Sequence, residues 1–355
     1  MHDARFAPVH DCFRDLLADG RETGAGLAIW YDGRPVVDIV GGERSPGRQW
    51  LPDTLVNVYS VGKPVAALCL LTLVDRGRLD LDDPVARHWP GFRAPATVRQ
   101  VLAHTAGLPA FPVPRPADAV ADWDLLCADL AAAEPEWPPG SAAAEHAWTY
   151  GHLVGELVRR VDGRPLGRFL AEEIAGPWRL DLGFGLAEAD QRRCADLSYG
   201  DPDWPVRAPG EPGSLRFRAM TNPAGGLDLA VLNSALWRGA EVPAVNLHAT
   251  ATGLARLYAG LLAGGVLDDV RLFDPDLVAE ATRAQYDGDD LLLGRRVQWT
   301  LGMQREDDGS WGMGGLGGSC GWADPVRGYA FAYVTARLAE FDRVEALVDA
   351  LHGCL

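Results

Sequence analysis

The sequence predicts an α/β fold of the α+β kind: an antiparallel sheet flanked by helices, with a mainly helical insertion. Three observations predict it. Strand-like runs with turn signals lie near both ends of the chain. Helical apolar periodicity dominates the middle. A last helical stretch closes the chain. The 355 residues, 48% of them hydrophobic, can bury a large core and fit one big domain or two intergrown ones. The expected division is a sheet part from residues 1–90 and 265–355. Residues 91–264 form a mainly helical part with long loops over the site.

The elements follow in order. Leu27–Trp30 and Pro35–Val40 flank Asp32-Gly33, so residues 26–40 read as a hairpin. Residues 61–76 read as a buried helix ended by Gly77. Proline is tolerated only in the first turn of a helix, so Pro64 places Ser60 close to the helix N-terminus. Asp80–Trp89 is a short polar connector. Helices are expected over Val98–His104, between Val120 and Ala133, over Thr149–Val161 and over Thr250–Leu262. Residues 185–225, rich in Gly and Pro, read as long loops. Strands are expected at Gln298–Met303, Gly312–Trp322 and Tyr329–Thr335, then a helix at Leu338–Leu351.

Composition narrows the function classes. A formal net charge of -16 opposes nucleic-acid and anionic-membrane partners. The longest apolar run, Val65–Val74, is too short to span a bilayer. The six cysteines form no Cys-x-x-Cys pair and read as reduced thiols of a cytoplasmic protein. Met1–Phe6 carries no secretion-signal pattern. The histidines make no metal-ligand pattern, and no metal or cofactor is expected. Two glycine motifs lack their context. Gly317-Gly318-Ser319-Cys320-Gly321 fits a nucleophile elbow, but a strand follows it instead of a helix. Gly312–Gly317 fits Gly-x-Gly-x-x-Gly without the helix of a dinucleotide site.

The chemistry centres on Ser60-Val61-Gly62-Lys63. A serine hydroxyl is a weak nucleophile until a base takes its proton. A spacing of three on a helix puts both side chains on one face. The helix start adds free N–H groups and a positive dipole end, which favour an oxyanion and a lowered lysine pKa. Lys63 is the only lysine among 33 basic residues. Arginine cannot release its proton near neutral pH, whereas a desolvated lysine can. The same tetrapeptide also fits a capping serine and a solvated first-turn lysine. Pro64 and the apolar helix after it argue against a solvated lysine.

These residues carry a resemblance that extends along the chain. Val58–Lys63, Leu73–Gly77, Asp80–Val85, Val98–Leu108, Trp137–Gly140, Gly155–Arg160, Ala240–Ala244 and Gly314–Gly318 follow one another in family order. The sequence resembles the serine beta-lactamase and penicillin-binding-protein superfamily, and within it the class C beta-lactamase-like esterases. The resemblance implies a beta-lactamase/transpeptidase-like fold, an acyl-Ser60 intermediate and proton abstraction by Lys63. It implies an oxyanion hole from the Ser60 amide and a strand amide near Leu316. It places Tyr59, Trp311, Met313, Gly314, Gly315 and Leu316 on the substrate side, with Asn246 and His248 bordering the site. Trp137 and Trp148 also fall near the site by sequence.

Two family residues are missing. The expected tyrosine position holds Glu145, with His146 next to it, and either is a candidate proton relay. Tyr150 falls five residues too late. The late-strand lysine or histidine is replaced by Met313, which bonds no carboxylate, so ordinary beta-lactamase activity is not expected. The expectation is a serine acyl-transfer enzyme, esterase or transacylase, acting on a small-molecule ester or amide. Loss of the tyrosine points to an amine or alcohol acceptor in place of water. The alternative is a catalytically silent relative that binds a small molecule or a partner.

Overall fold

In the computed structural model, which describes residues 3–355, the sheet is built from both ends of the chain. The N-terminal part supplies β1 (Gly24–Tyr31), β2 (Arg34–Ser45) and the short β3 (Arg48–Gln49). The C-terminal part supplies β4 (Tyr286–Asp290), β5 (Arg295–Trp299), β6 (Gln304–Arg305), β7 (Trp311–Gly314), β8 (Cys320–Asp324) and β9 (Tyr329–Thr335). The nine strands run β4-β5-β6-β7-β8-β9-β1-β2-β3, all antiparallel. β9 joins the two ends of the chain by pairing with β1, Leu27 opposite Tyr333. Every β9 residue is buried, in keeping with its apolar run from Tyr329 to Val334.

The β1–β2 hairpin turns at Asp32 and Gly33, both at positive φ (51° and 74°), as the Asp-Gly pair predicts. The expected strand Gly312–Trp322 is two strands, β7 and β8. The chain reverses between them at Gly315–Ser319, with Gly317 and Gly318 at φ 94° and 106°. β4 was not anticipated. Its sequence, Tyr-Asp-Gly-Asp-Asp, has poor strand propensity and gains its place by pairing with β5, where Arg296 bonds Asp287.

Helices cover both faces. On one side Ala7–Ala18 and Asp342–His352 pack together, and Phe13, Leu16, Leu347 and Leu351 close a core over Leu27, Ile29 and Phe331. The helix Ala7–Ala18 was also not anticipated, although Val9, Phe13 and Leu16 form a helical stripe. Of the leader-free Met1–Phe6 reading, Met1 and His2 lie outside the described residues. On the other side Ala251–Leu262, which falls within the segment expected to be helical, lies on β1, β8 and β9.

The main core draws on that helix and on residues of the helices Gly62–Asp75 and Thr149–Asp162. Helix Gly62–Asp75 is buried from Gly62 to Leu73, and Gly77 follows at φ 64°. A helix apolar on all sides belongs inside a fold, and it packs against the amphipathic helix Thr149–Asp162. Residues 185–225 are more ordered than the loops expected there. They hold the short helices Glu188–Gln191, Trp204–Arg207 and Leu215–Thr221, the last capped by Ser214. All six cysteines are free. Among the described residues, no helix is long and apolar enough to cross a membrane, and no group of three His, Cys, Asp or Glu could hold a metal ion.

Candidate active site

Ser60 stands at the entry to the buried helix. The preceding Tyr59 adopts φ 47°, an uncommon conformation for a bulky side chain, and its hydroxyl donates to Gly226 O at 3.3 Å. The Val58 amide donates to Leu247 O at 2.9 Å, and the Lys63 amide to Ser60 O at 3.0 Å. These bonds fix the backbone on both sides of the serine. Gly62 is required by packing: a Cβ there would sit 2.7 Å from Pro243 O.

The Ser60 hydroxyl meets two charged groups. Lys63 Nζ lies 2.7 Å from Ser60 Oγ, 2.8 Å from Glu145 Oε1 and 3.4 Å from Ala244 O. Ser60 Oγ lies 3.3 Å from the same Glu145 oxygen, closing a triangle. The Lys63 side chain is fully buried, and that burial lowers its pKa although Glu145 opposes the shift. Burial also pushes the Glu145 carboxyl upward. The Lys63 charge and the hydrogen bonds from Lys63 and Ser60 outweigh it, leaving the carboxyl below its ordinary range. Arg216, on the cavity wall, adds to that lowering.

The two candidates for the missing tyrosine part company. Glu145 faces the cavity. His146 does not, which corrects its reading as a relay. Its Nδ1 bonds Ala144 O at 2.8 Å, and its Nε2 lies 3.2 Å from the Leu108 amide that donates to it. Both ring nitrogens are thus occupied by backbone, and burial pushes the imidazole pKa down to about 4, so the ring is neutral. His104, at φ 61°, accepts the His146 amide on Nδ1 and helps hold this segment. Tyr150 is buried, donates to Leu102 O at 3.3 Å and does not line the cavity.

Asn246 and His248 are likewise corrected from substrate-side residues to packing residues. The Asn246 amide group accepts from the Val242 amide and donates to Trp237 O and Ala240 O, so it staples its own loop. His248 is buried, with Nδ1 on Asn246 O at 2.8 Å. Neither lines the cavity.

The cavity holds about 650 Å³ and opens over Ser60. Trp311, Met313, Gly314, Gly315 and Leu316 line the cavity, and so do Tyr59 and Trp148. Trp137 instead donates to Ala142 O at 3.0 Å. Met313 also packs with Ala143, Val297 and Trp299. A Cβ on Gly315 would lie 2.1 Å from Val58 O, so the β7 end abuts the segment leading to Ser60. Sequence reasoning missed Arg216, Met220, Leu292 and Leu293 on the walls. Only the reading of loops over the site hinted at the first two.

The beta-lactamase family model matches residues 9–353. The chain belongs to the beta-lactamase family. It is 36% identical to the esterase/beta-lactamase LipL of Mycobacterium tuberculosis, over 95% of this chain and 82% of that one. Among solved structures, a penicillin-binding protein homologue from Caulobacter crescentus matches 100% of this chain and 99% of its own, with TM-score 0.90 and 38% identity. A family VIII carboxylesterase matches the same shares with TM-score 0.92 and 31% identity. This beta-lactamase family member is therefore a serine hydrolase.

Proposed function

We propose that the protein is a small-molecule esterase working through an acyl-Ser60 intermediate. The observation that carries this is the triangle of Ser60, Lys63 and Glu145, buried at the base of an open cavity. At rest the Lys63–Glu145 pair shares one proton. When Ser60 Oγ attacks the ester carbonyl, its proton passes to Lys63 Nζ, and the proton that Lys63 gave up resides on Glu145. The pair then returns one proton to the leaving alcohol as the C–O bond breaks. In deacylation water gives a proton to the pair and attacks the acyl carbon, and the pair returns one proton to Ser60 Oγ as the bond from that oxygen to the acyl carbon breaks and the acid leaves. Glu145 thus stands in for the tyrosine of relatives and supports hydrolysis.

The Ser60 and Leu316 amides make no hydrogen bond to another group among the described residues, and both residues line the cavity. They are the proposed donors to the acyl oxygen, whose growing charge in the transition state they stabilise. Met313 offers no charge and no donor to a substrate carboxylate, which favours an uncharged ester over a beta-lactam. The beta-lactamase in the name of LipL is the counterweight, and it makes a chromogenic cephalosporin the necessary control substrate.

The test is hydrolysis of a p-nitrophenyl ester by the native protein and by Ser60→Ala. The variant should lose at least about 10³-fold in kcat/KM. Retained activity in the variant contradicts the reading. Acylated product after addition of an amine or alcohol, in place of free acid, would assign transfer to that acceptor. A native protein with no turnover and no adduct would be a silent binder.

A further inference from the structure

Behind the cavity wall lies a buried ion pair that the acyl-transfer scheme does not use. Glu22 and Arg343 are 3% and 1% exposed, and they come from opposite ends of the chain. One oxygen of Glu22, Oε2, accepts from Arg343 Nη1, from the Tyr333 hydroxyl and from Thr335 Oγ1. The other, Oε1, accepts the Thr23 and Gly24 amides at 2.6 and 3.0 Å. The carboxylate is therefore saturated and fixed. The second arm of the guanidinium, Nη2, donates to Gly317 O at 3.2 Å and to Arg337 O at 2.9 Å.

Gly317 lies in the Gly315–Ser319 reversal, one residue after Leu316. The same reversal is tied a second time, because the Thr335 amide donates to Ser319 Oγ at 3.1 Å. Gly318 has no room for a side chain: a Cβ would lie 2.8 Å from Arg343 Nη2. Replacing a buried ion pair by apolar groups is often neutral or stabilising, so stability alone does not account for such a pair. Arg343 even leaves its Nε without a partner among the described residues. What the pair does fix is the turn that presents the Leu316 amide.

We propose that Arg343, held by Glu22, is a positioning residue for acyl transfer, acting through the Gly315–Ser319 turn. The inference rests on the acyl-Ser60 reading. Arg343 touches no reacting atom. It holds the Gly317 carbonyl, and through it the Leu316 amide, where the tetrahedral oxyanion forms.

The test compares Arg343→Lys, which keeps the charge and loses the fork, with the double variant Glu22→Gln, Arg343→Met, which removes both charges. Folding is checked by circular dichroism. Ester kinetics are measured together with inhibition by a boronic acid, which forms a tetrahedral adduct on a serine. The expected result is a fall in kcat of about tenfold with KM within about twofold, and boronate affinity weakened by the same factor as kcat/KM. A folded variant with kcat and boronate affinity within about twofold of native overturns the inference. Failure of both variants to fold also overturns it, because the pair would then serve stability. Full activity in Ser60→Ala would instead sink the acyl-Ser60 reading on which the inference stands.

Discussion

Lys63 Nζ and Glu145 Oε1 lie 2.8 Å apart and share the Ser60 hydroxyl between them. Neither charge is in bulk water, so each sets the protonation of the other. The pair behaves as one proton-handling unit, and its titrations belong to the pair. That relationship generates most of what can be tested.

Lys63→Arg keeps a cation at the site but cannot release a proton near neutral pH. The expected outcome is a folded protein whose kcat/KM falls by at least about 10³-fold. Ester hydrolysis and circular dichroism check it.

Glu145→Gln keeps the shape of the carboxyl and removes its proton-accepting role. The kcat should fall by about 10²-fold, the scale of one general acid–base group. The pH profile gives the sign. Glu145 sits below its ordinary value of 4.5, so native activity should persist through pH 4.5 and fall only further into acid. Lys63 sits below its ordinary 10.5, so its neutral, proton-accepting form is reached below that pH, and its deprotonation brings no alkaline loss. The variant should lose the acid limb that Glu145 produces.

Lys63→Met combined with Glu145→Gln removes the buried pair. Replacing such a pair often leaves stability unchanged or raises it by about 1–4 kcal/mol. Urea denaturation should therefore show a midpoint at or above native, in a protein with no esterase activity. The individual pKa shifts imply a pH signature in the native protein. The depressed Glu145 contributes stability that is lost as pH falls through its folded pKa. The depressed Lys63 makes stability rise with pH between its folded and unfolded values, and the double variant should lose both slopes.

Asn246→Ala should separate packing from chemistry. It strands the Val242 amide and the Trp237 and Ala240 carbonyls in the interior. Stability should fall by about 2–3 kcal/mol while kcat per folded molecule is unchanged. Denaturation paired with active-site titration measures both.

Much of the fold was legible because its signals are local. The Asp-Gly turn, the apolar run of β9 and the helix after Pro64 each announce themselves in a few residues. β4 did not, since Asp-rich sequence becomes a strand only when the arginines of β5 lie beside it. The reversal at Gly315–Ser319 was hidden inside an apparently continuous strand. The site divides the same way. Ser60 and Lys63 are neighbours on one helix turn, so their spacing reveals them. Which of Glu145 and His146 faces the cavity depends on the Ala144 carbonyl and the Leu108 amide, brought to the imidazole by tertiary structure. Arg216 and Leu292 reach the cavity from distant segments, and no local pattern marks them.

The central claim is that Ser60 becomes acylated with Lys63 assisting. Its most direct test is reaction with a fluorophosphonate followed by intact mass and peptide mapping. The account predicts a single adduct, on Ser60, absent from Ser60→Ala and formed far more slowly by Lys63→Arg. An adduct on another residue, or none from a protein that still hydrolyses esters, would contradict it.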